Sequence, residues 1–202
     1  MDRMKIILRN VSKEFQGHQV LSNLNAELGG EQVHVIMGES GCGKTTLLRI
    51  LLGLETAEEG SVEGVSKACS VVFQEDRLCE GHSVMDNLAM VLRGENQEPA
   101  IMKHLTELGL ADSCKKSVSR LSGGMKRRVA IARAMLAPSE LVIMDEPFKG
   151  LDENTRKMTV SYVKAHLDGR MLLLVTHDRE DIEEFGACLW ELRDGKLEMK
   201  PV

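Results

Sequence analysis

The run Gly38-Glu39-Ser40-Gly41-Cys42-Gly43-Lys44-Thr45-Thr46 restricts what this chain can fold into more than any other stretch. Gln32 to Met37 before it reads as a strand, and Thr45 to Leu52 after it reads as a helix that stops at Gly53. Glycines at such a junction let the backbone approach a ligand closely and aim its amides at it, while the helix adds the positive end of its dipole. Strand, glycine-rich loop and helix in that order build a phosphate cradle. Lys44 is expected to meet β- and γ-phosphates, and the Thr45 hydroxyl to bind Mg²⁺. An ordinary glycine turn is the competing reading, and the full match in the required setting outweighs it.

A second glycine turn, Leu121-Ser122-Gly123-Gly124-Met125, stands before a basic helix. The first loop is complete by itself, so this turn has no phosphate left to hold within one subunit. The mismatch points to a site completed by a second copy.

Composition bounds the rest. A chain of 202 residues with 43% apolar residues can bury a core as one compact unit with a small subdomain. A net charge of -5 and a pI near 5.7 argue against a basic nucleic-acid surface. Cys42, Cys69, Cys79, Cys114 and Cys188 lack the paired spacing of zinc or redox motifs, which fits a reducing cytosol. The start, Met1-Asp2-Arg3-Met4-Lys5, leads into alternating sequence without a signal peptide, and no apolar run reaches the ~18 residues of a spanning helix. Any membrane role is expected to come through a partner.

Lys5 to Asn10 and Val20 to Leu28 read as antiparallel strands around a Gln16-Gly17 turn, with Gly29-Gly30 as the next turn. Val71 to Gln74 reads as a short strand, followed by three helices over Ser83 to Ala137. Ser83 with Asp86 forms a capping box, Pro99 opens the second helix, Gly109 closes it, and Ser122 caps the third, which runs toward Pro138. Leu141 to Met144 and Met171 to Thr176 are nearly continuous apolar strands, as parallel strands buried on both faces are, with Asn154 to His166 as a crossover helix. Leu189 to Arg193 and Lys196 to Lys200 flank Asp194-Gly195, a hairpin turn. The expected class is α/β: a mostly parallel core, an antiparallel part over about residues 1–30 and an inserted helical subdomain over about residues 77–137, all within one domain spanning 1–202.

Asp145 and Glu146 follow an apolar strand whose C-terminal end belongs beside the cradle in an open α/β sheet. Asp145 is expected to help hold Mg²⁺ and Glu146 to polarise the attacking water as general base, against the alternative of a solvated loop pair. His177 lies just past the next buried strand, placed to bond the γ-phosphate and that water. His18, His34, His82, His104 and His166 take the structural reading. Gln74 ends a strand and enters a polar loop, so it is either a sensor of Mg²⁺ and water or a plain loop glutamine.

In this order the residues resemble the ATP-binding cassette family, specifically the nucleotide-binding subunit of a transporter. Gly38 to Thr46 resembles its Walker A loop, Leu141 to Glu146 its Walker B strand and catalytic carboxylate, and Leu121 to Met125 its LSGGQ signature. Gln74, Gly150-Leu151-Asp152 and His177 are similar to its Q-, D- and H-loops. The resemblance covers almost the whole chain. It implies ATP with Mg²⁺ and a head-to-tail dimer in which each ATP lies between one cradle and the partner's Ser122, Gly123 and Gly124. It implies Phe15 stacked on adenine, where a core or hairpin aromatic is the alternative, and Val20 beside the ribose. Nucleotide-binding residues are thus Phe15, Val20, Gly38, Glu39, Ser40, Gly41, Cys42, Gly43, Lys44, Thr45, Thr46, Ser122, Gly123, Gly124 and Asp152. Glu146, His177, Gln74 and Lys44 are expected to be catalytic, and Thr45, Gln74 and Asp145 to serve the metal.

The resemblance also implies separate transmembrane permease subunits, an extracytoplasmic solute-binding protein as a further partner, and a cytoplasmic position on the inner face of the membrane. Nucleic acid is not an expected partner. A soluble cassette ATPase acting as a mechanical switch on nucleic acid or the ribosome is the rival, although such relatives carry fused cassettes or coiled-coil insertions that this sequence lacks. A regulatory module that binds without turnover is a second rival, opposed by Glu146 and His177. Met125 departs from the signature glutamine, Gly150 from a commoner Ser or Ala, and little chain follows the hairpin to form a regulatory domain. Cys42, at a helix N-terminus, is either a reactive thiol or an inert small residue. The strings around Gln74, Met125 and Asp145 resemble importer subunits for nitrate, sulfonate or taurine-like solutes.

Overall fold

The computed structural model describes residues 4–30 and 32–201, so Met1 to Arg3 of the expected leaderless start, Glu31 and Val202 lie outside the described residues. The chain forms two compact units, the first from the described residues of Met1–Lys67 and Gly169–Val202, the second from Ala68–Asp168.

In the first unit, β1 (Lys5–Phe15) and β2 (His18–Gly29) pair antiparallel from Lys5 opposite Gly29 to Phe15 opposite His18. Gln16 and Gly17 join them with φ of 51° and 82°, the paired positive angles of the two-residue turn that suits strand twist. Both strands run further toward this turn than their apolar alternation predicts, because the turn sets the register. Asn10 and Asn23 also take positive φ, beside the irregularities between Leu8 and Lys13 where the register shifts. The buried face carries Ile6, Leu8 and Val11 against Leu21, Leu24 and Leu28. A third strand, β4 (Glu59–Glu63), pairs with the free edge of β1. Its polar sequence offers no alternation to predict it. Gly60 at φ 84° is what allows it, since a Cβ there would strike the Arg9 and Asn10 carbonyl oxygens.

The same unit holds β3 (Val33–Met37), parallel to β7 (Met171–Val175) on one side and to β8 (Cys188–Arg193) on the other. Antiparallel to β8 runs β9 (Lys196–Lys200), joined to it through Asp194 and Gly195 at φ 51° and 69°. All five residues of β7 are buried, as a parallel strand covered on both faces requires. After β3 comes α1 (Lys44–Leu51), and before β8 comes α6 (Glu180–Phe185), which Gly186 ends at φ 56°.

In the second unit β5 (Cys69–Val72) lies parallel to β6 (Leu141–Asp145), with Cys69 opposite Leu141 and Val72 opposite Met144. Among the described residues four α-helices, α2 (Val84–Ala89), α3 (Glu98–Glu107), α4 (Gly123–Leu136) and α5 (Glu153–Ala165), and two short 3-10 turns, Ala111–Ser113 and Val118–Arg120, complete it. Pro99 stands in the first turn of α3, and Gly109 at φ 65° follows its end. The helix α4 packs on α2, α3, α5 and β5 and buries Val129, Ala130, Ile131, Ala132, Ala134 and Met135. Each large apolar side chain fully buried in this way contributes ~1.5–3 kcal/mol. The class is α/β: outside the antiparallel sheet β3 pairs parallel with β7 and β8, β5 pairs parallel with β6, and the closing β8–β9 hairpin is antiparallel. Among the described residues no helix is long and apolar enough to cross a membrane.

At the start of α2 the Ser83 hydroxyl accepts from the Asp86 amide at 3.1 Å while the Asp86 carboxylate accepts from the Ser83 amide at 3.0 Å. Ser83→Ala removes half of this reciprocal cap and is expected to cost ~1 kcal/mol, seen as a lower urea midpoint with unchanged slope. An unchanged midpoint would show that the cap contributes nothing.

Candidate functional site

Each glycine of the loop from Gly38 to Gly43 has its own reason to be glycine. A Cβ on Gly38 would collide with the Leu192 carbonyl oxygen and with Cys42 Sγ. Gly41 has φ 82°, and Gly43 combines φ 105° with neighbours, Val20 Cγ1 and Leu21 Cδ2, that a Cβ would meet at 2.9 Å. Gly43 is also the N-cap of α1, a residue with no side chain to offer the first amides of that helix, and no acidic residue stands in its first turn. These amides and the dipole they terminate form an anion-receptive end. The Lys44 ammonium lies across the loop, donating to the Gly38 carbonyl at 2.6 Å and the Glu39 carbonyl at 2.8 Å. A flexible lysine is thereby held over the loop it is to serve.

Two cavities flank this loop. One, of about 580 Å³, is lined by His18, Gln19, Val20, loop residues 38–42 and the β8–β9 turn. The other, of about 660 Å³, is lined by Gly38, Glu39, His177 and Arg179 among others. His177 reaches it because β7 lies beside β3, with the Thr176 amide on the Ile36 carbonyl at 3.3 Å. Val20 lines the first cavity, and Phe15 ends β1 with 43% of its surface exposed. The Lys13 ammonium, 4.9 Å from the Phe15 ring centroid, is held by Glu55 at 3.0 Å and Glu58 at 3.4 Å. The hydrogen bond and charge of Glu55, with those of Glu58, raise the Lys13 ammonium above its ordinary value despite burial. Sequence reasoning missed Lys13 and the part that the β8–β9 turn plays in lining the first cavity. The Asp194-Gly195 signal locates that turn, but nothing in it says that Leu192 will abut Gly38.

The second unit carries the remaining candidates. Asp145 closes β6, 5% exposed. Glu146 follows at φ 50°, a left-handed backbone that costs a non-glycine residue ~1 kcal/mol or more and that recurs where a side chain must be aimed. Asp152 caps α5, its carboxylate accepting from the Thr155 amide at 3.0 Å, and the Thr155 bonds hold it below the usual carboxylate range. Gly150 sits at φ 78°, a backbone that would strain the Ser or Ala expected there.

Ser122 is the N-cap of α4, its hydroxyl accepting from the Met125 amide at 3.3 Å. Met125 thus acts at this turn through its backbone. Gly123 is exposed, and a Cβ on it would meet nothing within 4 Å. No acidic residue occupies the first turn of α4, and Arg128 braces its start by donating to the Gly124 carbonyl at 3.2 Å and the Leu108 carbonyl at 2.7 Å. Gln74 lies in the loop beyond β5 with its side chain exposed.

A locked loop, a helix start with glycine at its cap and a lysine across them fit a polyphosphate, and the Thr45 hydroxyl at that helix start is a hard oxygen donor of the kind Mg²⁺ takes. Loss of one charge-assisted contact costs ~1.5–3 kcal/mol, so Lys44→Ala is expected to weaken ATP binding roughly 10- to 100-fold by calorimetry. Undiminished affinity would contradict this use of the loop.

Comparison with known proteins gives the family. The family described as ABC transporter matches residues 21–149. An aliphatic sulfonates import ATP-binding protein of Frankia alni is 40% identical over 195 residues, covering 96% of this chain and 79% of that protein. A spermidine/putrescine import ATP-binding protein of Vibrio cholerae is 33% identical, covering 96% of this chain and 56% of that protein. A bacterial Atm1-family ABC exporter solved with ATP bound shares the fold, with a TM-score of 0.86 and 23% identity over 97% of this chain and 38% of its own. The chain belongs to the ABC transporter family, as an ATP-binding, ATP-hydrolysing domain of it.

Proposed function

We propose that this chain powers solute import as a subunit peripheral to the inner face of a membrane, its cargo an aliphatic sulfonate or similar small organic anion received through separate permease subunits and an extracytoplasmic binding protein. The relatives support import over the soluble-switch alternative, since those above 30% identity described here are import ATP-binding proteins. The observation that carries the reading is the loop at Gly38 to Gly43, packed too closely at Gly38 and Gly43 for a side chain and ended by a glycine-started helix under Lys44.

ATP is taken with its triphosphate on the amides of Gly38 to Thr46, Lys44 meeting the β- and γ-phosphates and Phe15 stacking on the adenine beside Val20. Mg²⁺, held by Thr45, Gln74 and Asp145, would neutralise charge on the phosphate oxygens when bound. Glu146 accepts a proton from the water that attacks the γ-phosphorus, and His177 steadies that water. The bond to the β–γ bridging oxygen breaks, leaving ADP and phosphate.

Ser122 and Gly123 are exposed at the start of α4. In a head-to-tail pair the turn at Ser122, Gly123 and Gly124 supplies the second wall around the nucleotide of the other copy, with Asp152 at the same face. Closure then depends on the γ-phosphate, and its loss lets the pair reopen. The domain works as a single cassette, whose helical part over about residues 77–137 passes the motion to the permease.

Glu146→Gln is expected to keep ATP affinity while slowing phosphate release ~10²- to 10⁴-fold; unchanged turnover would remove the general-base role. Ser122→Arg is expected to leave ATP binding by the single copy intact and abolish turnover and pairing. An active variant would dispose of the cross-copy wall. Uptake of radiolabelled alkanesulfonate in cells lacking the gene tests the cargo, and undiminished uptake would refute it.

A further inference from the structure

From Phe73 to Cys79 the chain has no regular secondary structure, since β5 stops at Val72. The carbonyls beyond that point need partners from elsewhere. They find them on α4. Arg127, 7% exposed, donates from one guanidinium nitrogen to the Phe73 carbonyl at 2.6 Å and from the other to the Gln74 carbonyl at 2.7 Å. The first of these nitrogens also lies 3.2 Å from the Asp76 carboxylate. Six residues further along the helix, Arg133 donates to the Arg77 carbonyl at 2.9 Å. Lys126 reaches Glu80 at 2.7 Å, and the Arg77 guanidinium covers the Phe73 ring at 3.7 Å.

We propose that Arg127 is a positioning residue for Gln74, fixing the direction of its side chain by holding the peptide groups on both sides of it. The Phe73 carbonyl belongs to the peptide plane that enters Gln74, and the Gln74 carbonyl to the plane that leaves it. With both planes fixed, φ and ψ at Gln74 are fixed too. The planar guanidinium fork meets two neighbouring carbonyls and a carboxylate at once, which the single point charge of lysine does not. Arg127 follows Ser122 by five residues on the same helix start. A displacement of the signature turn therefore carries Gln74 with it.

The inference rests on the reading in which Gln74 serves hydrolysis, and the test separates the two. Steady-state phosphate release from the full chain is compared for Arg127→Met, Arg127→Lys, Gln74→Ala and the Arg127→Met/Gln74→Ala double variant. A misdirected catalytic side chain is expected to lower kcat roughly 10- to 100-fold with little change in KM, Arg127→Lys recovering only part. In the Gln74→Ala background Arg127→Met should cost nothing more. An equal further loss in that background, or an unchanged kcat on a Gln74→Ala-sensitive enzyme, overturns the proposal.

If Gln74→Ala itself leaves kcat untouched, the role of Gln74 is wrong and the clamp is judged by hydrogen exchange. Faster exchange over residues 73–77 in Arg127→Met, with α4 still protected, supports it, and unchanged exchange overturns it. Should Arg127→Met fail to fold, Arg127→Lys carries the same comparisons.

Discussion

The helix α1 begins at a glycine, and what that glycine cannot do organises the first unit. A helix start leaves several amides without partners, and elsewhere in this chain side chains of Ser83, Ser122 and Asp152 supply them. Gly43 has nothing to offer. The backbone around it is packed so closely against Val20, Leu21 and Leu192 that no larger residue fits at Gly38 or Gly43 without displacing a neighbour. Those neighbours come from β2 and β8, so the antiparallel sheet and the closing hairpin both shape the loop. The anion-receptive end is therefore a product of the unit's packing and not of one motif.

The second unit solves a different problem with a different device. Its loop beyond β5 has no strand to pair with, and α4 supplies the missing donors from Arg127 and Arg133. The same helix starts with the Ser122 turn and is braced there by Arg128. One element thus sets the position of two candidate contacts, the glycine turn and Gln74. Its arginine side chains are in large part spent on backbone carbonyls.

Much of this was legible in the residues alone, and the failures share a cause. The glycine loop, the capping box at Ser83, the hairpin at Asp194-Gly195 and the buried strands at Leu141 and Met171 announce themselves because their signals are local. The strand Glu59–Glu63 does not, since a polar, glycine-bearing segment becomes a strand only when β1 offers an edge. Phe73 and Gln74 were expected to end a strand and instead form a clamped loop, because an arginine more than fifty residues away takes their carbonyls. The left-handed backbone at Glu146 is likewise invisible in its own identity.

The central claim is that the loop at Gly38 to Gly43 binds its ligand through phosphates, with the base a lesser contact. Competition calorimetry against ATP tests it directly, using inorganic tripolyphosphate with Mg²⁺ in one titration and adenosine in the other. The account predicts that tripolyphosphate displaces ATP and that adenosine at the same concentration does not. Displacement by adenosine with none by tripolyphosphate would contradict it.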